Sequence, residues 1–142
     1  MNNEDILLYI AGGLIIVYFT HLLSKERGLR EAKKRFREAF RPEIILFDES
    51  TKGINRHTDR LAMVEDMHNR HARAVDNFMP YLRKRKSAAL KDAWLNYKNY
   101  IDKYNFIGWF DANGLFYSTD AGRDHKRNAR ELLNKILSYA KE

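Results

Sequence analysis

Apolar and polar residues are distributed along this chain in two different ways. Residues 6–23 contain no Asp, Glu, Lys or Arg, whereas everything after them mixes charge with apolar positions at helical spacing. An uninterrupted apolar run needs apolar surroundings on every side. Eighteen residues rising about 1.5 Å each cover roughly 27 Å, close to a hydrocarbon core of about 30 Å. The run therefore predicts a transmembrane helix over residues 6–23. Gly12 and Gly13 fit that reading because glycine is common in membrane spans, and Tyr9, Tyr18 and Phe19 lie towards the ends, where aromatic rings favour the interface. A cleaved signal peptide would begin with basic residues and end at a small-residue cleavage site. Here residues 1–5 are acidic and no such site follows. A buried core helix would be unusual with eighteen uncharged residues at an N-terminus.

Beyond the run, Leu29, Ala32, Phe36, Ala39 and Phe40 recur at three- and four-residue steps, which predicts a basic amphipathic helix over residues 24–41. Pro42 should end or kink it, because proline lacks an N–H and disfavours helical geometry in the residue before it. Residues 44–47 form an apolar run too short to separate a helical turn from a strand, and residues 48–55 read as a loop. A helix from about 58 to 78 carries Leu61, Val64, His68, His71, Val75 and Phe78 on one stripe. Pro80 breaks it, and a second helix over about 86–104 carries Leu90, Ala93, Trp94, Tyr97, Ile101 and Tyr104. Two such helices on a short link form an antiparallel hairpin. Residues 106–117 are aromatic and irregular; Asn113-Gly114 is a hairpin cue, and a loop closing one end of the bundle is the alternative. Ser118 or Asp120 can cap a last helix over about 123–140, with Ala129, Leu132, Leu133, Ile136, Leu137 and Ala140 facing inward.

The expected fold is all-α: an N-terminal transmembrane helix, a basic amphipathic helix and a small helical bundle. In order these are a short extracytoplasmic start at 1–5, the span at 6–23, a juxtamembrane helix at 24–41 and a cytoplasmic bundle at 42–142.

Charge gives that order a direction. All 26 Lys and Arg of the 142-residue chain follow the apolar run, with 17 of its 19 acids, a net +9. Between positions 25 and 41 eight basic residues stand against three acids. Positive flanks stay cytoplasmic, so the N-terminus is expected outside and residues 24–142 in the cytoplasm. Lys25, Arg27, Arg30, Lys33, Lys34, Arg35 and Arg37 are the expected membrane-surface residues, with the lipid bilayer and anionic lipid headgroups as partners. A basic balance also suits nucleic acid, but no recognisable binding module is present, and Trp94, Tyr97 and Tyr104 fall at core spacing rather than as stacking platforms. Tyr100, Trp109 and Phe110 are left to line an apolar patch for a protein partner. The basic groups at 83–86 and at Arg123, Lys126, Arg127 and Arg130 read as solvated faces.

Candidate chemistry is sparse. The chain has no cysteine, which excludes disulfides, Cys-ligated zinc and thiol catalysis. It has no phosphate-cradling glycine loop and no nucleophile elbow. Glu65, His68 and His71 follow the three-residue spacing that di-metal bundles use, and are the candidate metal ligands. A di-metal site needs a second such motif and further inward carboxylates. None stands at an apolar position of the other helices, so each histidine is read as hydrogen-bonded within the core. No catalytic residue and no cofactor is expected.

Phe36 and Phe40 with Arg41-Pro42-Glu43-Ile44, the segment from Arg70 to Leu82, Ala93-Trp94 with Tyr97, and Ala129 to Ala140 resemble a set of small uncharacterised bacterial single-pass membrane proteins with a cytoplasmic helical domain. The resemblance implies helices and a bacterial inner membrane, and brings no activity with it. The leading expectation is a membrane-anchored, non-catalytic interaction or structural module with an unidentified protein partner. A basic domain binding anionic lipid or nucleic acid is the alternative, and a small metal-binding helical enzyme the second.

Overall fold

The computed structural model describes the backbone of residues 3–48, 60–104 and 120–141, and side chains at 12–48, 62–104 and 124–141. Every regular element among them is helical: α1 Asn3–Ala39, α2 Arg41–Leu46, α3 Arg60–Phe78, α4 Lys84–Lys103 and α5 Asp120–Leu137, with 3₁₀ turns at Met79–Tyr81 and Ser138–Ala140. The residues at 106–117, where a hairpin or a loop was expected, lie outside the described residues. The chain divides into two compact units, Met1–Ala32 and Lys33–Glu142.

In the first unit, Leu14, Ile15, Ile16, Val17, Tyr18 and Phe19 are each between 56% and 66% exposed. No side chain lies where a methyl group on Gly12 or Gly13 would go. The Thr20 hydroxyl turns back on its own helix and donates to the carbonyls of Ile16 and Val17, both at 2.9 Å. Among the described residues no helix is long and apolar enough to cross a membrane. The transmembrane helix expected over 6–23 is therefore not established. The backbone is helical over the whole run, while the side chains of residues 6–11 lie outside the described residues.

The second unit is built on one repeated spacing. Phe36, Phe40, Glu43 and Phe47 are buried at steps of 4-3-4; Met67, His71, Val75 and Phe78 at 4-4-3; Leu90, Ala93, Tyr97 and Ile101 at 3-4-4; Ala129, Leu133, Ile136 and Ala140 at 4-3-4. Each stripe is one helical face turned to a common core. α4 packs against both α3 and α5. α3 and α4 meet across the Met79–Tyr81 turn as the expected hairpin; the Tyr97 hydroxyl reaches the Met67 sulfur at 3.7 Å, far from the link, as an antiparallel pair requires. The phenylalanines knit the start of the unit to α3: Phe36 lies 4.7 Å from Phe78 between ring centroids, and Phe40 stacks on His71 at 4.0 Å.

As expected, the first helix stops just before Pro42, at Ala39, but the proline also opens a second one. It sits in the first turn of α2, where the missing N–H has no partner to lose, and the Ile44 amide donates to the Phe40 carbonyl at 3.1 Å. The inward stripe thus continues through the proline to Phe47. Residues 44–47, undecided from sequence, are helical up to Leu46, and the apolar run is turned with Ile44 and Ile45 outward (40% and 54% exposed) while only Phe47 is fully buried. Other expected core positions are shallower: Val64, His68, Trp94, Leu132 and Leu137 are half-buried, and Tyr104 is exposed.

Leu133→Ala, at a fully buried position of α5, should lower the unfolding free energy of the full chain by about 2–5 kcal/mol. Leu95→Ala, on the exposed face of α4, should change it by less than about 0.5 kcal/mol. Chemical denaturation of the two variants side by side checks both.

Candidate functional site

Among the described residues of the second unit, the densest polar chemistry is gathered around Glu43. Its carboxylate is 4% exposed and accepts three hydrogen bonds from two neighbouring residues of α3. Arg70 donates through both terminal nitrogens, at 2.8 Å to Oε1 and 3.1 Å to Oε2. His71 Nε2 lies 2.8 Å from Oε2. An ionised carboxylate only accepts, so Nε2 carries the proton and donates it. Arg70 also donates to the Ala39 carbonyl at the end of α1 and lies 3.6 Å from Asp66 one turn back on α3. Carbonyls in a helix's last turn have no partner within the helix. One guanidinium thus caps α1, holds α2 and sits on α3.

The charges follow from these contacts. Burial works to raise the Glu43 carboxyl, but hydrogen bonds from His71 and Arg70, reinforced by the Arg70 charge, hold it below the ordinary carboxylate value. The Glu43 hydrogen bond raises the Arg70 guanidinium above its ordinary value, against some desolvation. His71, 1% exposed, is driven below the ordinary imidazole value by burial, which outweighs the pull of Glu43. The cluster at neutral pH is a carboxylate, a guanidinium and a neutral imidazole.

An open pocket of about 380 Å³ adjoins it, lined by Pro42, Glu43, Leu46, Met63, Asp66, Met67 and Arg70. Its walls are apolar apart from two carboxylates and one guanidinium already engaged by both. That arrangement offers an anionic ligand no uncommitted cation among the lining residues. It is also poor ground for acid–base chemistry, since the buried His71 imidazole points its proton at a carboxylate.

The candidate metal ligands are not brought together. Glu65 is exposed and His71 is committed to Glu43. His68 is half-buried with Nε2 3.4 Å from Asp102 Oδ1, outside good hydrogen-bond geometry. Burial lowers its pKa, with Asp102 opposing and the charges of Lys98 and His71 adding. Among the described residues no group of three or more His, Asp or Glu is placed to hold a metal ion. Asp102 is itself held by Lys98 at 2.6 Å.

Two expectations are corrected. An inward acid does exist on another helix: Glu43 occupies the position of an apolar residue in the stripe from Phe36 to Phe47. The signal for it is the 4-3-4 spacing from Phe36 to Phe47, which carries across the break between α1 and α2. Lys126, grouped with a solvated basic face, is 8% exposed. Of the expected membrane-surface residues, Lys25, Arg27, Arg30, Lys34, Arg35 and Arg37 are exposed, and Lys33 instead donates to the Lys141 carbonyl at 2.9 Å. Tyr100 is half-buried and bonded to His125 at 2.9 Å, while Trp109 and Phe110 lie outside the described residues. The basic residues at 83–86 are exposed. Compared with known proteins, the chain matches no protein-family model, no curated protein and no solved structure.

Glu43→Ala should cost about 1–3 kcal/mol of stability, chiefly by leaving the buried His71 N–H without an acceptor. The pH profile has a defined sign. His71 and Glu43 both have folded-state values below their ordinary ones of 6.5 and 4.5, so the unfolded chain binds more protons. Stability is complete above pH 6.5, falls as His71 gains its proton only on unfolding, and falls again below pH 4.5 as Glu43 does the same; His68 adds to the first step. Denaturation midpoints across the acid range should show this decline, with the first step flattened in His71→Gln.

Proposed function

We propose that the chain is a membrane-anchored, non-catalytic interaction or structural module, with α1 in the bilayer through Leu23 and the helical unit Lys33–Glu142 at its cytoplasmic face. The observation that carries this reading is the exposure of consecutive apolar side chains from Leu14 to Phe19. Consecutive helical residues point in all directions, so no single partner face within the chain accounts for them. Each would cost roughly 25 cal/mol per Å² left in water, and lipid removes that cost on every side at once. The described backbone and the Thr20 hydroxyl find their partners inside the helix, as a helix in hydrocarbon requires.

The basic residues that follow support the direction of insertion. Lys25, Arg27 and Arg30 are exposed immediately after the apolar stretch, with Arg30 only loosely paired to Glu26 at 3.9 Å. The use of the polar core supports the non-catalytic part. Glu43, Arg70 and His71 spend their hydrogen-bonding capacity on each other and on a helix end. A carboxylate, an imidazole and a guanidinium so engaged hold helices together rather than turn over a substrate.

Fractionation of cells expressing the full chain should find it in the membrane pellet, retained after carbonate extraction, with residues 24–142 protease-sensitive only from the cytoplasmic side. Ile16→Arg should release it. Recovery of the unaltered chain in the soluble fraction, or digestion of the helical unit from outside, would sink the proposal.

A further inference from the structure

The pocket beside Glu43 holds one charge that the polar core does not consume. Of its lining residues, Glu43 and Met67 are buried, Leu46, Met63 and Arg70 half-buried, and Pro42 and Asp66 exposed. The buried residues form its floor and the exposed ones its rim. Met63 and Met67 stand one turn apart on α3, so their thioethers lie on the same wall. Charge is divided unevenly among these residues. The Glu43 carboxylate and the terminal nitrogens of Arg70 are engaged with each other, with His71 and with the Ala39 carbonyl. Asp66 differs: its side chain is 76% exposed, and it approaches Arg70 Nε at 3.6 Å, longer than a hydrogen bond. The lining thus carries one net negative charge, in a chain whose net charge is +7.

We propose that this pocket binds a small organic cation, its aryl or alkyl body against Met63, Met67, Leu46 and Pro42 and its ammonium head at the Asp66 carboxylate. The site lies wholly within the helical unit and stands whether or not the chain is anchored in a bilayer. Charge selects the sign of the ligand. An anion would have to draw Arg70 off a buried carboxylate and leave Glu43 uncompensated, while a cation meets a carboxylate at the rim. Volume selects the size. About 380 Å³ lies in the range of small-molecule pockets, whereas a stable protein complex buries ~800 Å² on each partner. The walls select the body, because thioethers adapt their shape and make favourable contacts with aromatic rings. Glu43 on the floor is no obstacle to an apolar group, since both its oxygens already accept hydrogen bonds.

The chain has four methionines, and two of them line the pocket, so their methyl resonances give a direct test. The full chain, carrying isotope-labelled methionine methyl groups, is placed in phosphatidylcholine nanodiscs and titrated with phenethylammonium, phenethyl alcohol and phenylacetate. The ammonium should shift Met63 and Met67 in a saturable way and leave Met79, in the turn after α3, unmoved. It should bind about fivefold more tightly than the alcohol, as an ion pair at an exposed carboxylate permits, and phenylacetate should bind least. Asp66→Asn, at an exposed position, should bring the ammonium and the alcohol to equal affinity while the Met79 resonance stays in place. Equal affinity of the three probes in the unaltered chain would overturn the proposal, and so would shifts spread evenly over Met63, Met67 and Met79. Silence of Met63 and Met67 towards the ammonium would overturn it too. A lysine-containing peptide that moves them when the ammonium does not would replace it with a protein partner.

Discussion

The second unit depends on one buried carboxylate. Glu43 stands in a row of phenylalanines, at a depth where an unpaired charge would not survive, and the core tolerates it because two consecutive residues of α3 converge on it. Arg70 supplies charge and a two-point hydrogen bond; His71 supplies a third donor and a flat apolar face for Phe40. Neither alone would serve. Arg70 by itself would leave a carboxylate lone pair unsatisfied in the core, and His71 by itself, kept neutral by burial, would leave the negative charge uncompensated. The clasp is thus an electrostatic fastening assembled from a helix turn that was free to be apolar.

That fastening also accounts for the junction between α1 and α2. A proline after Arg41 invites the chain to leave the helix direction, and nothing local forbids it. Arg70 reaches across to the Ala39 carbonyl and the Glu43 carboxylate together, which holds both sides of the junction against α3. The cost of a broken helix is met by a tertiary contact, so the inward face runs on through the break. The ordering of ion pairs around it is consistent: the exposed pairs of α4 and α5, Lys98 with Asp102 and Arg127 with Asp124, are of the kind that contribute little.

Much of this architecture could be read from residue spacing. The helices α3, α4 and α5, their inner faces at Val75, Phe78, Leu90, Tyr97, Ile101, Leu133 and Ile136, and the link between α3 and α4 all follow from apolar steps of three and four. The clasp could not be read in the same way. Periodicity scores Glu43 as polar and therefore outward, and it scores Ile44 and Ile45 as apolar and therefore inward. Both assignments are reversed by a partner 27 residues further along the chain. His71 was legible as a core histidine, but its acceptor stands 28 residues back on a separate short helix, which periodicity along α3 cannot point to. Lys126 escaped for a similar reason, since a long aliphatic stem lets a charged residue lie on a buried face.

The separation between Glu43 and Arg70 has a bearing on biosynthesis. The stretch from Phe36 to Phe47 leaves the ribosome before α3 exists, and it would be a continuous apolar stripe if every inward position were hydrophobic. Glu43 interrupts that stripe with a group at ease in water. While the partners are still being made, the carboxylate keeps the nascent segment hydrated and discourages its phenylalanines from clustering on the wrong surface. Once Arg70 and His71 emerge, the same group becomes the point of closure. A residue that looks costly in the finished protein is, in the unfinished one, what keeps a row of phenylalanines in water until its partners arrive.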